Sequence, residues 1–456
     1  MFNFSVSLKM YIIVKIISTL SLLGLFTVFG QLVTDNQSGI PASLPSPKEQ
    51  GIGKDDLVNA VNSLGYKIVQ QMISESSDKN VIISPAGIAG LLAMTLLGTV
   101  GKSYDELAEI LGFSQDLKIN RVNHEQFGDL LKSLNSNGTS SKTMYADAIF
   151  VDSSSPLREA YRTYLHEVYN GEARSVNFAD EDVKTKINEW VSENTGGKIP
   201  DFLKDPLPRN SKAVLLSALY FSGQWKYPFF PEYTLKLPFK KTNEQVMADL
   251  MMNAGQFDQI YSVKDDIHLI AIPYNDTTTL YALKPRRNQF TSLTKVMNNL
   301  NYTRISELID KLESKKTIIR FPKMDLKFRT SLQEPLQALG VQSIFTPQIA
   351  NFALMIDVDN NLNKTENETI TSAKKLEPSI RDVIDNLPNP GIHVDSIIHD
   401  VRIKIDEYGT EAVAATSGIL ARSAELFYAD SPFYMFIRNE VTKLVTFSAV
   451  IFDPTT

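Results

Sequence analysis

Residues 80–98, NVIISPAGIAGLLAMTLLG, cannot rest on a protein surface. They read as a short apolar strand, a break at Ser84–Pro85, and then a helix that is apolar or small all round. A helix without a polar face has to be enclosed, and its small side chains let neighbouring backbones come close. The fold must therefore supply layers on both sides of it. A chain of 456 residues, 43% hydrophobic and 21% charged, is long enough to do so. It contains no cysteine, which removes disulfide frameworks, thiolate metal sites and thiol nucleophiles. A core of this size needs no covalent staples. The formal net charge of −6 gives no support to nucleic-acid binding, which favours a basic face.

Helical spacing begins near Asp55, with Leu57, Val61, Leu64, Ile68 and Met72 on one stripe. Residues 103–112, SYDELAEILG, suggest a helix with Ser103 as cap, Glu106 completing a capping box and Gly112 ending it. Residues 145–151 and 213–221 look like buried strands, and 181–195 like an amphipathic helix between them. Residues 317–328 alternate as strands broken at Pro322, and the C-terminus reads as a hairpin turning at Asn439–Lys443. Helices crowd the first half and strands the second, with no internal repeat. The fold class expected is α+β.

At the N-terminus, Lys9 and Lys15 precede an apolar run, residues 16–30. Fifteen residues suit a secretion signal and fall short of the roughly 20 a spanning helix needs. The expectation is a signal peptide over 1–30, removed near Gly30 or Gln31; the alternative is a membrane anchor. A Pro/Ser/Gly-rich lead-in follows over 31–55, then one domain over 56–456. Within it, 357–391 is polar, Asn-rich and proline-terminated, an exposed insertion. Six Asn-x-Ser/Thr sequons, at Asn36, Asn137, Asn275, Asn301, Asn363 and Asn367, fit an exported glycoprotein.

Six blocks, in order, resemble the serpin family: NVIISPAGIAGLLAMTLLG with YDELAEILGF (80–113), INEWVSENTGGKIPDFL (187–203), LLSALYFSGQWKYPFFPEYT (215–234), FPKMDL with LGVQSIF (321–345), IDEYGTEAVAAT (405–416) and ADSPFYMFIRNEVTKLVTFSAVIFDP (429–454). The resemblance covers residue 60 to the C-terminus. It implies a single domain of about nine helices and three β-sheets with an exposed reactive-centre loop, here within 407–427. It also implies a suicide-substrate inhibitor: a serine protease acylates the loop, and the cut loop enters the central sheet as a strand, dragging the protease with it. Ser84, Ser217 and His399 match a polar cluster that controls sheet opening in the family, and Trp225 matches the tryptophan beneath the point where the loop enters. The family usually has Asn at the position of Ser217 and Ser at that of Gly87. For His399 the plainer reading is a buried structural histidine, and for Trp225 a core aromatic.

The hinge, counted from the acid Glu407, is Gly409, Thr410, Glu411, Ala412, Val413, Ala414, Ala415 and Thr416. In a strand, Thr410, Ala412, Ala414, Thr416 and Gly418 share one face, all small and uncharged. Such a face enters a packed sheet without overfilling the core. Glu411, Val413 and Ala415 face the other way, and a one-residue slip would bury Glu411. Arg422–Ser423 is the only Arg-Ser step in the loop. An arginine at the cut suits a trypsin-like protease, whose pocket holds an aspartate. The family's usual count of 17 residues from Glu407 reaches Ser423, while Arg422 makes 16. Leu420–Ala421 is a further alternative.

Other classes find little support. No Gly-x-Ser-x-Gly elbow or His-Glu-x-x-His helix occurs, and the five histidines have no ligand spacing. No enzyme activity, metal or cofactor is expected. Lys118 and Arg121 are too sparse for a polyanion-binding helix. The partner expected is a trypsin-like serine protease in covalent complex with a secreted monomer, with no nucleic acid and no membrane after signal removal. The rival function is a non-inhibitory serpin acting as carrier, chaperone or storage protein.

Overall fold

A computed structural model describes residues 53–75, 78–114, 117–134, 141–287, 291–358, 380–408 and 424–456. Residues 1–52, the sequons at Asn36, Asn137, Asn363 and Asn367, most of the insertion and the loop 409–423 lie outside the described residues.

The chain opens with helix α1 (Lys54–Glu75), strand β1 (Val81–Ile83), and helices α2 (Pro85–Gly98), α3 (Gly101–Leu111) and α4 (Leu117–Leu134). Strand β2 (Ser141–Asp152), helix α5 (Glu159–Tyr169), strand β3 (Glu172–Val176), helix α6 (Val183–Asn194) and strand β4 (Ala213–Gly223) follow. Next come β5 (Phe230–Lys240), β6 (Gln245–Ser262), β7 (Ile267–Pro273), β8 (Thr278–Pro285), and helices α7 (Leu293–Asn299) and α8 (Tyr302–Ile309). The chain closes with β9 (Glu313–Pro322), β10 (Met324–Ser331), α9 (Gln333–Ala338), α10 (Ile380–Asp385), β11 (Val394–Ile405), β12 (Glu425–Tyr428), β13 (Phe433–Asn439) and β14 (Val445–Ile451).

The apolar helix is enclosed as its composition demands. Ser84 caps α2, its Oγ accepting from the Gly87 amide, Pro85 takes the first turn, and every residue but Leu97 is buried. Helix α1 can lie against it because Gly65 lacks a side chain: a Cβ there would stand 2.4 Å from the Pro85 ring. The stripe Leu57, Val61, Leu64 and Ile68 is buried in the same core, with Met72 packed at its margin.

The capping box does not form. Helix α3 starts two residues earlier, at Gly101, with Val100 as an unassisted cap. Ser103 is buried inside it, where its Oγ accepts from the Asn351 amide (3.2 Å). The Glu106 carboxylate instead accepts from the Ser343 and Gln342 amides (2.7 and 2.8 Å), capping a 3-10 turn over Ser343–Phe345. Tertiary donors outcompeted the local ones. Gly112 does end the helix, at φ +68°.

Two of the three expected sheets are continuous through the 18-residue strand β6. Its first half pairs with β5, its last four residues with β7, and β9 lies along its other edge. The nine-stranded network that results is ordered β1-β14-β13-β8-β7-β6-β9-β12, with β5 beside β6. The five-stranded sheet is ordered β10-β11-β4-β2-β3. Strand β4 reads almost wholly apolar because both its faces are covered. Val214, Leu216 and Ala218 pack with Ile187 and Trp190 of α6, while Leu215 faces the core of α2 and Leu219 and Phe221 the other sheet.

Within the insertion 357–391, the described part includes α10. Its Arg381 pairs with Asp105 on α3 and Asp385 accepts from the Gly101 amide.

Candidate functional site

The central feature of the five-stranded sheet is a seam between two strands running the same way. β11 lies parallel to β4 from Val394 opposite Ala213 to Ile403 opposite Phe221, with a bulge between Val394 and Ser396 and unbroken register after it. The two are 171 or more residues apart along the chain, so no hairpin joins them.

At the end of the seam where β11 runs out, a set of polar contacts holds the chain. The buried Glu407 carboxylate accepts from Lys323 Nζ (2.8 Å) and from Thr234 Oγ1 (2.9 Å), and its carbonyl accepts from the Phe229 amide. Burial alone would raise its pKa, but Lys323 and Thr234 hold the carboxyl below the usual glutamate range. Beside it, Trp225 Nε1 donates to the Asp406 carbonyl (2.8 Å) while its ring stacks on Tyr274 at 4.2 Å. Trp225 is thus a core aromatic and also fixes the start of the segment leading to Gly409. The hinge residues Gly409 to Thr416, and Arg422 and Ser423, lie outside the described residues. The resemblance put the exposed loop within 407–427, yet Glu425–Tyr428 forms β12, parallel to β9. Phe427 is fully buried there.

Midway along the seam, register places Thr330, His399, Ser217 and Asp147 in one row across four strands. His399 is fully buried, and its Nε2 accepts from the Ser84 amide at 2.9 Å. Burial pushes the imidazole down to about 3, so it is neutral and its proton sits on Nδ1. His399 therefore ties the cap of α2 to β11. Ser84, Ser217 and His399 do come together, as the sequence suggested. The site also holds two residues the sequence reading missed. Among the described residues, none makes a well-formed hydrogen bond to Asp147 Oδ1, the Tyr145 hydroxyl, Ser217 Oγ or His399 Nδ1, all of them buried. Burial pushes the Asp147 carboxyl up to about 7, opposed by the Ser217 hydroxyl. The only sequence sign was an acid inside the otherwise apolar run YADAIFV. Gly87 lies against this cluster: a Cβ there would stand 3.1 Å from Ser84 Oγ and 3.2 Å from Ser217 Oγ.

The family model for Serpin (serine protease inhibitor) matches residues 59–454. The chain belongs to the serpin family. Human Serpin B8 is 27% identical over 415 residues, covering 88% of this chain and all of its own. A crystal structure of native protease nexin-1 with heparin is similar with a TM-score of 0.74 at 25% identity, covering 88% of this serpin and all of that chain. Human thyroxine-binding globulin complexed with thyroxine shares the fold, with a TM-score of 0.75 at 20% identity over 88% of this chain and 100% of its own. Serpins inhibit serine proteases through covalent complexes rather than by turnover, and the family also holds non-inhibitory members. Some of its members are extracellular and others intracellular.

Proposed function

We propose that this serpin is a secreted inhibitor of trypsin-like serine proteases, acting as a suicide substrate. Arg422–Ser423 is the bait bond. The protease serine attacks the Arg422 carbonyl, and the bond to the Ser423 nitrogen breaks. The acylated segment, from Gly409 to Arg422, then enters the seam as a strand between β11 and β4, with Thr410, Ala412, Ala414 and Thr416 on its buried face. The observation that carries this reading is the closed parallel seam: it separates two strands that a returning segment can bridge in antiparallel pairing on both sides. Glu407, held by Lys323 and Thr234, is the fixed point about which that segment turns.

Secretion rests on the apolar run 16–30, with the mature chain a monomer. Asn275 and Asn301 are exposed and open to glycosylation; Asn301 also caps α8 through its Oδ1, leaving its amide nitrogen for the glycan. Asn36, Asn137, Asn363 and Asn367 complete the set proposed from sequence.

Incubation with trypsin followed by a denaturing gel tests the proposal. The expected product is an SDS-stable adduct, with a released C-terminal peptide beginning at Ser423. A start at Ala424 moves the cut to Ser423–Ala424. The carrier or storage reading, prompted by relatives such as thyroxine-binding globulin, requires no adduct and no rise in melting temperature when the loop is cut.

A further inference from the structure

The segment that joins α6 to β4 crosses the outside of the seam. Its apolar side chains rest chiefly on one flank: Ile199, Phe202 and Leu203 are buried with Ile187 and Trp190 of α6 and Val214, Leu216 and Ala218 of β4, while from β11 only the half-buried Ile398 packs against this cluster. Its polar groups are held from the other flank. On β11, Arg402 Nη1 donates to the Lys198 carbonyl (3.1 Å) and Nη2 to the Asp201 carboxylate. On β10, Arg329 Nη2 donates to the Asp201 carbonyl, and its guanidinium lies 5.8 Å from the Phe202 ring. Both arginines are braced from behind by Asp400, a buried residue of β11, at 2.7 Å from Arg329 Nη2 and 3.4 Å from Arg402 Nε. The place on the seam matters. Arg402 stands opposite Tyr220, one position from the last register pair at the end near Glu407. Lys198 Nζ lies 5.4 Å from that same Tyr220 ring.

Strands β10 and β11 form one flank and β4 with α6 the other, so a strand cannot enter between them without parting these contacts. We propose that Arg402 and Arg329, gripping Lys198 and Asp201, form a clasp across the mouth of the seam that sets how fast a strand enters. The clasp rests on the loop-insertion reading above. It acts by holding the uncut sheet shut, and it is absent once the seam is filled.

A synthetic peptide copying residues 409–422, added to the intact protein, supplies the strand without a protease. Annealing is read as the rise in melting temperature with time. Asp201→Asn is the first variant, since this carboxylate is exposed and its loss leaves the core untouched; Arg402→Ala is the second. Each should anneal the peptide about three- to tenfold faster than the parent, the size expected for losing one partly exposed charged contact. Each should melt lower than the parent when intact and equal to it after loop cleavage, because the contact no longer exists there. Raising salt should speed annealing in the parent more than in the variants. If the parent anneals the peptide and both variants do so at its rate, or melt lower in both forms alike, the clasp is overturned and insertion stands. If the parent neither anneals the peptide nor gains stability on cleavage, insertion fails and the clasp with it.

Discussion

Asp147 is a carboxylate held far from its ordinary environment. Its carboxyl is pushed up to about 7 by burial against α2, from an ordinary 3.8. Between those values the unfolded chain has released a proton that the folded chain retains. The Asp147 contribution to stability should therefore fall as pH rises from about 4 through 7 and level off above, by at most about 1.4 kcal/mol per pH unit. His399, His124 and His268, each pushed down to about 3 by burial, act in the opposite sense: below about 6.5 the unfolded chain binds protons that the folded chain refuses, so their contribution to stability rises with pH across most of that window. Asp147→Asn should remove the falling contribution, so that the melting temperature of the variant climbs more steeply, or falls less, than the parent's between pH 4 and 7; a variant profile parallel to the parent's would refute the assignment. Such residues show how far a sequence reaches. Ser84, Ser217 and Trp225 were legible because they sit in recognisable blocks, and His399 because it lies just ahead of one, the block that opens at Ile405. Asp147, Tyr145, Lys323 and Thr234 were not, since their roles come from partners up to 173 residues away that only strand register brings near.

Among elements, those written in local chemistry were foreseen: the Ser84–Pro85 start of α2, the amphipathic α6, the break at Pro322 and the final hairpin, where Lys443 takes φ +63°. The failures came where tertiary contact won. Glu106 serves a turn more than 230 residues on instead of its own helix, and β12 forms because β9 offers an edge, not because four residues announce a strand. The end of α3 was foreseen and carries a prediction. Gly112 sits at φ +68° with the Ala60 methyl 2.8 Å from where its own Cβ would be. Gly112→Ala should cost about 1–2 kcal/mol through backbone strain and this contact. The midpoint of urea unfolding checks it, and an unchanged midpoint would show that α3 can shift away.

At the scale of the whole molecule, the α+β reading holds, and its layers explain why so apolar a helix as α2 is tolerated: it is roofed by α1 and floored by β4 and β2. The two stumps of the loop are moored differently. Tyr408 follows β11 in one sheet, while Glu425–Tyr428 is sewn into the other by β9, with Lys284 Nζ also reaching the Tyr428 carbonyl (2.6 Å). Scission would leave the downstream stump at its berth and free only the upstream one to travel. The seam spans nine residues of β4, Ala213 to Phe221, or roughly 30 Å. Dyes attached on either side of Arg422–Ser423 would start as near neighbours and end at opposite poles, so energy transfer between them would report the journey in real time.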